Sequence, residues 1–248
     1  MIAIYKKELR SYFINPIGYV FCGIFLALAA VLCCYTTVLN YSYDVTSYFV
    51  YMMFALVVLI PLLTMRLFSE ERKLKTEQLF LTAPVSLISV VMGKFLAAFT
   101  LFGGVTLVSC LNFIPIYVVA AAERGMEGYD QLHVGPVTAQ LFGCLVAILL
   151  LGAAFIAIGT FISALTENQL AAAVMTVAVL VVLLGISLFN GIIDAAWVRT
   201  VLGWVSVYSR FSAFTNGVFD FAALLYYASI TFVFLFLTVR VYDKRRWS

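Results

Sequence analysis

The chain has 248 residues, of which 65% are hydrophobic and only 11% charged, with a mean hydropathy of +1.09. A soluble domain carries about 25% charged residues, so this composition cannot cover a globule in water and instead suits lipid. The formal net charge of +3 lacks the concentrated basic face that nucleic acid requires, and no nucleic-acid partner is expected.

The chain opens on residues 2–13, where Ile2, Tyr5, Leu9, Tyr12 and Phe13 fall on one helical face and Lys6, Lys7, Glu8 and Arg10 on the rest. That pattern predicts an amphipathic helix lying on the inner leaflet, broken by Asn15-Pro16 before the first long apolar run. The run is too long for a cleaved signal core and is expected to stay as a signal anchor.

A helical span needs about 20 mostly apolar residues. Six stretches qualify: Ile17–Leu39, Tyr48–Met65, Lys94–Ala121, Val137–Ile162, Leu170–Phe189 and Phe221–Val239. They are continuously apolar rather than alternating, which argues against barrel strands. The expected fold is an all-α integral membrane protein with six transmembrane helices in a single transmembrane domain over residues 1–248.

Basic residues orient the spans. Lys6, Lys7, Arg10, Arg66, Arg72, Lys73, Lys75, Lys94, Arg240, Lys244, Arg245 and Arg246 are twelve of the fifteen, and only Arg124, Arg199 and Arg210 fall on the other side. The positive-inside rule puts both termini in the cytoplasm, which requires an even number of spans. Arg66, Lys94 and Arg240 are expected at inner span ends, where they can snorkel.

Between the second and third spans the sequence S-E-E-R-K-L-K-T-E-Q-L-F-L is rich in helix formers. Glu71 and Lys75 form an i, i+4 pair in the favourable order, and Leu74 and Leu81 lie seven apart, which predicts an amphipathic helix able to dock on a soluble partner. Pro84 ends it and Ser86 can cap the next helix. In the turn Ser163–Gln169, Thr166 and Gln169 make a T-x-x-Q capping box, so the fifth span is expected to start near Glu167. In the fourth span Gly152 and Gly159 lie seven apart, with Gly159/Ser163 and Ala153/Ala157 as small-x-x-x-small pairs suited to close helix approach, within the chain or between chains.

Residues 197–219 lie outside by charge yet are mostly apolar. An outer re-entrant hairpin is expected there, with Trp204, Tyr208, Phe211 and Phe214 as an outer gate.

Chemistry of other kinds is missing from the sequence. The span interiors show almost no ionisable groups and no matched broken helices, which disfavours an ion-coupled carrier. No P-loop, H-E-x-x-H or G-x-S-x-G is present. The lone His133, near Glu123, Glu127 and Asp130, reads as a solvated loop residue. Cys22, Cys33, Cys34, Cys110 and Cys144 lie in apolar runs without metal or redox spacing. No catalytic residue, metal or cofactor is expected.

Two stretches carry a family resemblance. F-S-E-E-R-K-L-K-T-E-Q-L-F-L-T-A-P-V-S-L-I-S-V-V-M-G-K-F-L-A, residues 68–97, resembles the segment after span two in ABC-2 type transporter permeases; Glu70, Glu71, Arg72, Thr76, Glu77, Leu79, Pro84, Ser86, Gly93 and Lys94 match. Lys75 stands where that family usually has glycine, a departure that suggests a continuous helix. L-G-A-A-F-I-A-I-G-T-F-I-S-A-L-T-E-N-Q, residues 151–169, and the tail F-L-F-L-T-V-R-V-Y-D-K-R-R-W are similar to the gliding-motility-type subgroup. The resemblance implies an exporter in the cytoplasmic (inner) membrane, built from two permeases, identical or homologous, and two ABC ATP-binding subunits that hold the ATPase activity, with an accessory envelope protein as a further partner. It also implies that the coupling helix near residues 70–82, with Glu70, Glu71, Arg72, Thr76, Glu77 and Leu79, seats on the ATPase. The rival classes are a non-transporting scaffold or regulator of an envelope complex and an ion-coupled carrier.

Overall fold

A computed structural model describes residues 1–76, 86–123, 135–189, 203–204, 206–217 and 219–246, and the elements it describes are helical. In chain order they are α1 (Ile2–Ile14), α2 (Pro16–Cys33), α3 (Thr46–Thr64), α4 (Ser69–Lys73), α5 (Leu87–Ser109), α6 (Ile114–Glu123), α7 (Thr138–Leu165), α8 (Gln169–Phe189), α9 (Val207–Thr215) and α10 (Phe221–Arg246). Six of the helical stretches are long and apolar enough to cross a membrane, in agreement with the expected number.

Several boundaries follow from local chemistry. Asn15 is extended (φ −83°, ψ 145°) and Pro16 occupies the first position of α2, where its missing N–H costs nothing and its fixed φ suits a helix. The end of α2 widens into a π turn over Cys34–Val38, with the Thr36 hydroxyl donating back to the Leu32 carbonyl at 2.9 Å. Asp44, just before α3, accepts from the Thr46 amide at 2.9 Å and the Ser47 hydroxyl at 2.8 Å. Burial pushes its carboxyl up, but these hydrogen bonds outweigh burial and hold it below the usual carboxylate range.

The third span differs from expectation. Its rod runs from Leu87 to Glu123, 37 residues, or about 55 Å at 1.5 Å per residue, against a hydrocarbon core of about 30 Å. A 3-10 turn at Cys110–Phe113 breaks it into α5 and α6. Lys94 is therefore inside α5 rather than at its start. Ser86 takes the N-cap position of α5, but its hydroxyl meets the Ser89 hydroxyl at 2.7 Å rather than a backbone amide. The cap of α8 is Asn168, whose side chain accepts from the Leu170 amide at 3.0 Å, while the Thr166 hydroxyl donates to the Ile162 carbonyl; the expected capping box is absent and α8 starts at Gln169.

α7 is the axis of the bundle and packs on α3, α5, α8, α9 and α10. It is buried on most of its circumference, and lipid gives no hydrophobic drive for that, so close van der Waals approach must hold it. Gly152 and Gly159 supply the approach. A Cβ on Gly152 would sit 2.1 Å from Phe102 Cε1, and one on Gly159 would sit 2.3 Å from Thr64 Oγ1. The small face of α7 is thus consumed within this chain, by α5 and α3.

α1 packs against α5 and α2. Tyr5, Leu9 and Tyr12 lie against the bundle while Ile2 and Phe13 are exposed, so the expected apolar face is split between protein and surroundings. Glu8, expected on the polar face, is instead buried.

Candidate functional site at the basic end of the bundle

The end of α3, α4, the start of α5, the α7–α8 turn, the last turns of α10 and all of α1 meet at one end of the bundle. The chain leaves α3 at Thr64, turns, and enters the five-residue α4. The Ser163 hydroxyl of α7 accepts the backbone N–H groups of Phe68 and Ser69 at 3.1 and 3.2 Å, satisfying donors that a helix start leaves open. Glu70 and Glu71 in the first turn and Arg72 and Lys73 in the last complement the helix dipole.

Lys94 organises the centre. It is only 1% exposed, and its ammonium has three hydrogens to place. Nζ lies 2.9 Å from Glu71 Oε1 and 3.2 Å from Glu8 Oε1, and donates to the Leu67 carbonyl at 2.7 Å. It also stands 5.1 Å from the centre of the Phe68 ring, a favourable cation–π position. Lys7 approaches the same two carboxylates, at 3.5 Å from Glu8 and 3.6 Å from Glu71. One lysine of α5 thereby ties α1 to α4. The expected snorkelling of Lys94 is wrong, and so is the Glu71–Lys75 pair: a buried cation captures Glu71 more strongly than a solvated neighbour one turn away.

The other charges of the segment are also engaged inward. Arg66 grips Glu70 with both Nε and an Nη, the Nε–Oε2 distance being 2.7 Å. Arg72 donates to the Leu165 carbonyl at 2.7 Å and pairs with Glu167 at 2.9 Å. Arg245 of α10 donates to the Ala164 carbonyl at 2.8 Å, and the Phe68 and Tyr242 rings lie 5.0 Å apart. Two arginines thus cap the carbonyl end of α7. The Tyr12 hydroxyl donates to the Leu63 carbonyl at 3.2 Å. Burial first, and the Glu8 carboxylate second, push that phenol well up, so it remains a donor.

What faces outward is different. Lys73, Leu74 and Lys75 are exposed, Leu74 at 64%. Lys75 has φ +56°, a left-handed conformation that costs an ordinary L-residue about 1–2 kcal/mol and glycine almost nothing. α4 ends at Lys73, so the expected continuous helix through Lys75 is overturned; lysine here adopts a backbone that glycine would take freely. Glu77, Leu79 and Leu81 lie outside the described residues.

At the opposite end, α9 rests on α7 and α8. Ser206 caps it by accepting the Ser209 amide at 3.2 Å, and the Tyr227 hydroxyl of α10 donates to the Val207 carbonyl at 2.9 Å. The four aromatics expected as an outer gate divide in two. Phe211 and Phe214 are fully buried against the bundle, whereas Trp204 is 71% exposed and Tyr208 partly so. Residues 190–202 lie outside the described set, as do His133, Glu127 and Asp130; Glu123 accepts from the Tyr43 hydroxyl.

Residues 34–242 match a family model described as an ABC-2 family transporter protein. The chain belongs to the ABC-2 transporter family. No curated protein matches it. As an ABC-2 family member it is a multi-pass membrane protein and the membrane component of an ABC transport system, a kind of domain that is generally not catalytic.

The matched stretch of this ABC-2 chain contains Glu70, Glu71, Arg72, Thr76 and Lys94, while Glu8 and Lys7 precede it. Sequence reasoning placed Lys94 in the motif but not at its centre, and missed Glu8, Lys7 and Arg245 as partners. One available signal was a lysine seven residues into an apolar helix that starts at Leu87, because such a group needs a partner.

Proposed function

We propose that the chain is the permease subunit of an ABC-2 exporter in the cytoplasmic membrane, with both termini cytoplasmic and with ATP hydrolysed by two copies of a separate ATP-binding subunit. It works with a second permease, a copy or a homologue, and its likeness to the gliding-motility-type subgroup supports an envelope setting with an accessory protein. The observation that carries this reading is that residues 66–76 are braced at once to α1, α5 and the α7–α8 turn, through Glu71–Lys94–Glu8 and Arg72–Glu167.

In this reading the coupling residues divide their work. Lys73, Leu74 and Lys75, continuing toward Thr76, Glu77 and Leu79, touch the ATP-binding subunit. Glu70, Glu71 and Arg72 face inward and pass its displacement to the spans. The test is reconstitution with the cognate ATP-binding subunit. Leu74→Asp combined with Lys73→Glu should weaken its association by at least tenfold, about 1.4 kcal/mol, and leave the thermal melt of the isolated permease unchanged. Normal association in that variant would remove the docking role.

At the other end, residues 197–219 would form a re-entrant hairpin where an exported substrate leaves, with α9 as its inner wall and Trp204, Tyr208, Phe211 and Phe214 as the gate. Single cysteines in a cysteine-free background check both this and the orientation. An impermeant thiol reagent added outside should label Trp204→Cys and Tyr208→Cys, spare Phe211→Cys and Phe214→Cys, and miss Lys73→Cys. Equal labelling at positions 204 and 73 would sink the orientation, and uniform labelling along α9 would sink the gate.

A further inference from the structure

α1 carries three cations and one acid, and the fold removes the acid. Glu8 turns into the bundle to meet Lys94, and Lys7 is drawn toward Glu8 and Glu71. Lys6 and Arg10 remain, both exposed and, among the described residues, in no ion pair. They are four apart, hence neighbours on one side of the helix. A shallow groove runs along this side, lined by Lys6, Lys7, Arg10, Ser11 and Ile14. A groove with three cations, a hydroxyl and an aliphatic edge matches the phosphodiester of a lipid and the start of its acyl chains.

The surroundings say which way that groove faces. On the adjoining flank of α1, Ile2 and Phe13 are exposed, and the Phe13 ring packs edge-on against Tyr19 of α2 at 5.8 Å. Tyr19 is itself exposed, as are Val20, Ile24 and Leu28 beyond it on the same span. The apolar flank of α1 is therefore continuous with the outer surface of a membrane span, and Lys6 and Arg10 lie beside it at headgroup level. A soluble acidic partner would leave those apolar side chains in water.

We propose that Lys6 and Arg10, with Lys7 at the margin, form a binding site for the headgroup phosphate of an anionic phospholipid. Because Lys7 also reaches Glu71, a bound phosphate competes with the coupling segment for that lysine, and the lipid thereby biases the Lys94 cluster. The site rests on reading α1 as a helix at a bilayer surface, and not on the ATP-binding subunit.

The experiment is native mass spectrometry of the full chain in detergent, titrated with phosphatidylglycerol or phosphatidylcholine. The unsubstituted chain should retain phosphatidylglycerol preferentially. In Lys6→Gln combined with Arg10→Gln its affinity should fall about 30-fold, which is roughly 2 kcal/mol at about 1 kcal/mol per cation, and phosphatidylcholine binding should not change. Each single substitution should cost about fivefold, which keeps the result readable should the double variant fold poorly. Soluble glycerophosphate should not displace the lipid. Equal retention of the two lipids, undiminished phosphatidylglycerol binding by the double variant, or displacement by glycerophosphate would each overturn the site. The lipid titration contains no ATP-binding subunit, so its failure leaves the proposed coupling standing, and failure of the coupling leaves the lipid site standing.

Discussion

Replacing Lys94 by methionine is expected to destabilise the chain by about 3 kcal/mol, because it leaves two partly buried carboxylates with only the exposed Lys7 as a cation. The side chains of Glu8 and Glu71 are only 11% and 17% exposed, so water cannot take over fully. The Leu67 carbonyl loses its donor as well. In detergent this should appear as a thermal melt lowered by about 10 °C or more. The same Lys94→Met in a chain that also carries Glu8→Gln and Glu71→Gln should recover most of the loss, since neutral amides leave no unpaired charge. A wild-type melt for the single variant would mean that the cluster does not hold the end of the bundle together.

The second large effect is expected at Gly152. Alanine there would place Cβ 2.1 and 2.4 Å from the Cε1 and Cζ atoms of Phe102. That ring is fully buried and packs edge-on to Phe25 at 6.1 Å, so moving it disturbs a packed neighbour. Gly152→Ala should cost about 3 kcal/mol, at the upper end of ordinary overpacking. Combining it with Phe102→Leu should cost less than the two changes added separately, by roughly 1–3 kcal/mol of coupling. Gly104, in α5, has open space around its would-be Cβ, and Gly104→Ala is the control expected to leave stability unchanged or slightly raised. If Gly152→Ala melts like Gly104→Ala, the α7–α5 contact is not as close as described.

Most of the helical architecture was legible because lipid imposes a simple rule: a span must be apolar along its length. Six runs in the sequence satisfied that rule, and six helical stretches among the described residues follow them. The errors lie where a residue answers to a distant partner rather than to its neighbours. Lys94 looked like the end of a span because charge marks span ends, yet α5 begins at Leu87 and carries the lysine inward to Glu8 and Glu71. Glu71 looked like a partner for Lys75 because i, i+4 spacing is all a local rule can see. Thr166 and Gln169 fitted a capping pattern, but Asn168 stood nearer to the amide that needed an acceptor. The proposed gate aromatics shared a composition, and only packing separates buried Phe211 and Phe214 from exposed Trp204.

The order of residues around Lys94 has a consequence for biogenesis. A lysine at the centre of a span costs roughly 2.5–3.5 kcal/mol on insertion scales, and one arriving unpaired near a span's end carries part of that cost. Glu8 and Glu71 both precede Lys94 in the sequence, so each emerges from the ribosome before it does. In the order of synthesis, both carboxylates that meet the Lys94 ammonium are made before it. The chain thus supplies both counterions ahead of the cation.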